Sequence, residues 1–162
     1  MKNNIVSIGV ERMEKIKICM ISSSGGHYEQ LKSISELESH HDVFWVTEKT
    51  KYASKANYYL PQTGLKDKMF PIKMIYNFIK TIKIWIKEKP ELIITTGTMV
   101  ALPMLFLAKF FKKKIIYIET FARVSDGTKA GKFFYKYADL FIIQWETLKE
   151  IYPEAVYGGS IY

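Results

Sequence analysis

Six consecutive residues, Ser22-Ser23-Ser24-Gly25-Gly26-His27, separate an apolar run over 16–21 from a helical pattern that starts at residue 28. A plain turn needs one or two small residues, whereas this one has five followed by an imidazole. Gly25 and Gly26 lack the Cβ atoms that would keep a ligand away from the backbone. The start of the next helix offers unpaired N–H groups to a phosphate or diphosphate, with Ser23 and Ser24 beside it. His27 adds a hydrogen bond to such an anion, or acts as a base toward an acceptor hydroxyl. A tight strand-to-helix turn with a serine cap and a surface histidine uses the same residue types. Two further clusters carry comparable groups. Thr95-Thr96-Gly97-Thr98 combines hydroxyls with a glycine turn, of which Thr96 and Gly97 are candidate phosphate contacts. A capped helix start explains it as well. Glu119 is followed four positions later by Arg123, with Asp126 and Gly127 beyond. The carboxylate can orient or deprotonate a sugar hydroxyl, and the guanidinium can grip phosphate through its planar fork. A Glu119–Arg123 surface pair fits the same spacing.

These clusters fall at equivalent places in a regular alternation. The segments IKICMI (16–21), DVFWVT (42–47), ELIITT (91–96), KIIYIE (114–119) and LFIIQ (140–144) read as strands. Most are continuously apolar, as in parallel strands covered on both faces. Helices are expected near 28–38, 74–88, 99–111, 129–137 and 145–151, with Pro90 and Pro153 as stops. The pattern predicts an α/β fold: a Rossmann-like, doubly wound, mostly parallel sheet with helices on both faces. One such domain is expected over 15–162, preceded by a loose extension over 1–14. The stretch 48–70 is the least periodic and reads as a loop-rich excursion, with a short strand expected near 69–72. Ligands of such sheets bind beyond the carboxyl ends of the strands, where the three polar clusters stand.

The totals narrow the chemistry. A net charge of +8 points to an anionic partner: nucleic acid, an acidic membrane surface or a phosphorylated substrate. The lysines are scattered over several elements and no nucleic-acid module is visible, so no nucleic-acid partner is expected. The single cysteine, Cys19, excludes an internal disulfide framework and sits in an apolar run. Adjacent His40-His41 is poor geometry for one metal ion, and no bound metal or other cofactor is expected. The glycines do not follow G-x-G-x-x-G, and no Gly-Lys-Ser/Thr follows them, so NAD and P-loop chemistry become minor alternatives. The charge-free run 92–108 is punctuated by Gly97 and Pro103, which argues against a spanning helix. The 74–88 segment interleaves Lys80, Lys83 and Lys87 with Ile75, Phe78, Ile79, Ile82, Trp85 and Ile86. An amphipathic helix covering the sheet is the first reading. Together with Phe110-Phe111-Lys112-Lys113-Lys114, peripheral contact with an anionic membrane is the second.

ISSSGGHYEQL, FWVT, KPELIITTGTMVALP, IYIETFARVSDGTKAGKFFYKYADLFIIQWE and YPEAVYGGSIY, taken in order, resemble the bacterial capsule and exopolysaccharide proteins of the PssD type. Those proteins are similar to the membrane-recruiting subunit of the eukaryotic two-subunit transferase that adds the second N-acetylglucosamine to dolichol diphosphate. The resemblance spans about Lys15 to Tyr162 and implies the N-terminal, acceptor-side half of a split GT-B glycosyltransferase. It implies a separate donor-binding glycosyltransferase subunit as partner, holding the UDP-sugar, and a polyprenyl-diphosphate-linked sugar as acceptor. In the related single-chain peptidoglycan transferase the first loop is associated with the acceptor's diphosphate, which puts Gly25, Gly26 and His27 in that role. The family's Glu-x-x-x-Arg falls on Glu119 and Arg123, expected to face the acceptor. The eukaryotic subunit's N-terminal membrane helix has no counterpart in this sequence, so peripheral attachment to the inner face of the cell membrane is expected. The sequence stops at Gly158–Tyr162, where a two-domain transferase would cross into its second half, so an obligate or stimulating partner is expected. A noncatalytic recruiting scaffold and a stand-alone nucleotide-binding Rossmann protein are the alternatives.

Overall fold

The strand β1 (Lys17–Ile21) is the hub of the molecule, hydrogen-bonded in parallel to β2 (Asp42–Lys49) on one side and β4 (Leu92–Thr95) on the other. In the computed structural model, residues 14–51, 55–64 and 67–161 are described; the extension expected over 1–14 lies outside them but for Glu14. Strand β3 (Tyr58–Pro61) adds to β2, while β5 (Lys114–Ile118), β6 (Leu140–Ile143) and β7 (Val156–Tyr157) continue beyond β4. The order is β3-β2-β1-β4-β5-β6-β7, with every pairing parallel. The Rossmann-like doubly wound sheet expected from the alternating runs is therefore present. Cys19, Met20 and Ile21 have no exposed surface, as continuous apolar strands at the centre of a covered sheet require.

Helices α1 (Gly26–Lys32), α2 (Phe70–Glu88), α3 (Leu102–Phe110) and α4 (Lys129–Phe134) connect the strands. The helical signal over 28–38 divides into α1 and a 3-10 turn, Ser35–Ser39. The break falls at Ser33, whose hydroxyl and backbone N–H both donate to the Gln30 carbonyl. The 145–151 signal is likewise a 3-10 turn, Glu146–Glu150. No strand forms at 69–72, because those residues open α2: Pro71 sits in its first turn, where a missing N–H costs nothing. The extra strand is β3 instead, on the sheet edge, where its terminal Pro61 is tolerated. Lys89 closes α2 in the left-handed region at φ 48°, immediately before Pro90.

Helices cover both faces as expected, and two features of that packing stand out. First, α2 turns a partly polar stripe inward: Asn77, Thr81, Ile84 and Trp85 are buried, while Ile72, Ile75, Ile79 and Ile86 are half or more exposed. Asn77 is accommodated by donating to the Pro61 carbonyl at 3.0 Å. Second, α2, α3 and α4 cover one sheet face through Ile21, Val46, Ile93, Ile115, Tyr117 and Phe141. The other face is covered mainly by α1, whose Tyr28 and Leu31 pack on Ile18, Met20 and Trp45. Toward β5 and β6 the described residues leave a groove on that second face, floored by Ile94, Ile116, Ile118 and Ile142.

Candidate functional site

The loops after β1 and β4 meet at the carboxyl edge of the sheet. The Ser23 N–H donates to the Gly97 carbonyl at 3.3 Å, and the Thr96 hydroxyl donates to the His27 carbonyl at 2.9 Å. On the other flank, the Ser22 N–H donates to Val46 at 3.2 Å, tying the loop to β2. Ser23, Ser24, Gly25, Gly26 and His27 are thus brought beside Thr96 and Gly97, His27 and Thr96 being 69 positions apart in sequence; the space at this edge is the candidate crevice. Gly25 and Gly97 adopt φ 85° and 94°, where side-chain-bearing residues are strained. A Cβ on Gly25 would meet nothing within 4 Å, so its glycine is explained by backbone conformation; one on Gly97 would come 3.0 Å from the Tyr117 hydroxyl.

His27 is half-buried, and its Nδ1 is enclosed without a hydrogen-bond partner among the described residues. Burial lowers its pKa from the ordinary imidazole value, against the opposing pull of the Glu119 charge and the Thr96 backbone. The imidazole is accordingly neutral near pH 7, the form that can accept a proton.

Glu119 does not face the crevice as an open acid or base. Its residue is fully buried, and its carboxylate accepts from the Thr120 N–H at 3.0 Å, the Thr128 hydroxyl at 3.0 Å and the Tyr152 hydroxyl at 2.9 Å. A Cβ on Gly131 would lie 1.8 Å from Glu119 Oε2, so α4 reaches this carboxylate only because that position is glycine. The arrangement gives Glu119 a positioning role: it anchors the loop between β5 and α4 and places negative charge near His27. The Glu119–Arg123 pair that the spacing allows is absent, since Arg123 pairs with Asp126 at the surface. That guanidinium remains about half exposed.

Three residues outside the predicted set complete the frame. Glu48, buried at the end of β2, accepts from the Thr63 N–H at 3.0 Å and from the Ser24 backbone, clamping the serine-glycine loop. Burial raises its pKa, opposed by those hydrogen bonds. Tyr152 donates to Glu119, and burial beside that charge pushes its own pKa up. Gln144 donates to the Glu119 carbonyl at 2.9 Å and accepts from the Ile161 N–H at 3.1 Å, linking β6 to the chain after β7. Polar residues at strand ends were the signal for Glu48 and Gln144; Tyr152 carried none. Among the described residues no three His, Cys, Asp or Glu side chains gather as a metal site, and no helix is long and apolar enough to cross a membrane.

The chain matches the family described as "Oligosaccharide biosynthesis protein Alg14 like" over residues 62–161. It is 27% identical to the UDP-N-acetylglucosamine transferase subunit ALG14 of Candida albicans, the alignment covering 92% of this chain and 80% of that protein. Among solved structures it superposes on MurG of Acinetobacter baumannii with a TM-score of 0.64 and 14% identity, over 83% of this chain and 43% of that one. UDP-N-acetylglucosamine 2-epimerase from Rickettsia bellii gives a TM-score of 0.67 and 20% identity, over 91% of this chain and 46% of that one. Likeness at such identity speaks for the fold alone, and the chain spans less than half of each of these two structures. The family match takes in the Thr95–Thr98 loop, the Glu119–Gly131 frame and Tyr152, and it begins after the Ser22–His27 loop. Covering well over half of the sequence, it shows that the protein belongs to the Alg14-like family of oligosaccharide biosynthesis proteins.

Proposed function

We propose that this chain is the acceptor-side subunit of a heteromeric glycosyltransferase, acting in capsular or exopolysaccharide repeat-unit synthesis as PssD-type proteins do. Its crevice binds a polyprenyl-diphosphate-linked sugar, and a partner subunit holds the UDP-sugar. The observation that carries this reading is the meeting of the two glycine loops at His27, whose imidazole Nδ1 has no hydrogen-bond partner among the described residues. The side-chain-free backbone at Gly25 and Gly26, with the hydroxyls of Ser23 and Ser24, suits a diphosphate, and Thr96 braces the loop through the His27 carbonyl. His27 contacts that anion or takes the proton of the attacking hydroxyl; Glu119 holds the β5–α4 loop in place, and Arg123 contributes cationic charge at the rim. The relatives named as transferase subunits support a partner, as does the open isoleucine groove on the second sheet face. Peripheral contact with an anionic membrane is supported by the outward Ile72, Ile75 and Ile79 of α2 and the +8 charge.

The test is sugar transfer from labelled UDP-sugar to a lipid-linked acceptor, with each chain separate and with both mixed. Activity is expected only in the mixture, and His27→Ala in the mixture is expected to lower it by about a hundredfold or more. Unchanged transfer by that variant would remove His27 from the mechanism. A recruiting scaffold is the second reading, favoured by the seclusion of Glu119. Full activity of the partner tethered alone to vesicles would establish it.

A further inference from the structure

We infer that the cleft between α3 and α4 receives the isoprenoid chain of the lipid-linked acceptor, as a site separate from the one that takes its diphosphate. The identity of the chain rests on the proposed function; the case for the cleft rests on other residues. Leu102, Leu105 and Phe106 form one wall and Phe133, Phe134 and Tyr137 the other, around a cavity of roughly 120 Å³ open on one side, with Lys109 the single charged residue among those lining it. Phe106, Phe133 and Tyr137 are 59%, 42% and 43% exposed, an unfavourable state that an apolar occupant would relieve.

Position selects the occupant. Both helices start from the carboxyl edge of the sheet: α3 follows the Gly97 loop, and α4 starts after Thr128, the residue that holds Glu119. The ring of Tyr117, whose hydroxyl lies beside Gly97, packs on Phe134 with centroids 5.2 Å apart. One aromatic layer therefore separates the diphosphate crevice from the floor of the cleft. Leu102 and Phe106 also line the neighbouring groove against Met74, Ile75, Phe78 and Ile79 of α2. The apolar lining thus continues from the cleft to the outward face of α2, as suits a lipid whose headgroup is bound at the sheet edge while its far end stays in a bilayer. A sugar or peptide would find almost no hydrogen-bonding groups along it.

The experiment measures binding to the full chain by calorimetry, with inorganic diphosphate, farnesyl diphosphate and farnesol as soluble probes and phosphatidylcholine–phosphatidylglycerol vesicles alongside. Farnesyl diphosphate is expected to bind at least about tenfold more tightly than inorganic diphosphate. Phe106→Glu and Phe133→Glu should each abolish that advantage with diphosphate binding unchanged, whereas Ile75→Glu should weaken only vesicle binding. Equal affinity for the two diphosphates would overturn the inference. So would glutamate variants that lose vesicle binding but keep the farnesyl advantage, since the cleft would then be bilayer-facing surface. Absent diphosphate binding with farnesol binding still lost in the glutamate variants would support the cleft while removing the headgroup assignment. Tyr137→Ser replaces either glutamate variant if its thermal melting shows a fold defect.

Discussion

Burial holds the His27 imidazole neutral at lower pH than a free imidazole, and this has two measurable consequences. The folded state binds fewer protons than the unfolded chain as pH falls below the ordinary value of 6.5, so protonation opposes folding. Stability contributed at neutral pH is therefore lost as pH falls from that value through the lowered one, and His27→Asn should flatten this acid limb in a denaturation series. In the mixed complex, the acid limb of transfer should likewise have its midpoint below 6.5 if neutral His27 is the base. Glu119 acts on the same group from behind. Glu119→Gln removes the negative charge that holds the His27 pKa up, so an NMR titration of His27 should move to still lower pH. The variant should also lose about 1–3 kcal/mol, because an amide cannot accept from Thr128 and Tyr152 as a carboxylate does. The residue type and strand-end position of Glu119 were legible in the sequence; its inward orientation was not. The donors that decide it, Thr128 and Tyr152, lie nine and thirty-three positions away.

Helix α2 shows the same division at the scale of an element. Alternating lysines and isoleucines announced a helix, and Pro90 its end, but propensity does not say which stripe faces inward. Tertiary packing placed Asn77 and Thr81 against the sheet and left Ile72, Ile75 and Ile79 in solvent. The lysines are partly engaged, with Lys80 donating to the Tyr59 carbonyl at 2.9 Å and Lys73 paired with Asp67. The outward stripe is the part of the helix free to enter a lipid interface. The double change Ile75→Glu/Ile79→Glu should lower flotation with anionic vesicles by tenfold or more and shift thermal stability little, since both residues are half or more exposed. Strand β3 illustrates the opposite case. Four residues on the sheet edge, ending in proline, carry too little periodicity to be distinguished from the surrounding loop.

At the scale of the molecule, continuously apolar strands were enough to predict a parallel sheet. They also predicted cover on both faces, which α1 on one side and α2, α3 and α4 on the other provide, with a groove left over β5 and β6 among the described residues. A strand covered by another chain has the same composition as one covered by its own helices, so this asymmetry was invisible in the sequence. Ile116→Lys, in the open groove, should leave the isolated chain folded and weaken co-elution with the donor-binding subunit by about tenfold or more. The most direct test of the whole account is calorimetric titration of UDP-sugar and of a polyprenyl-diphosphate sugar into this chain, into the partner and into the complex. Acceptor binding by this chain, donor binding by the partner, and turnover only when the two are together are expected. Tight UDP-sugar binding and turnover by this chain alone would contradict it.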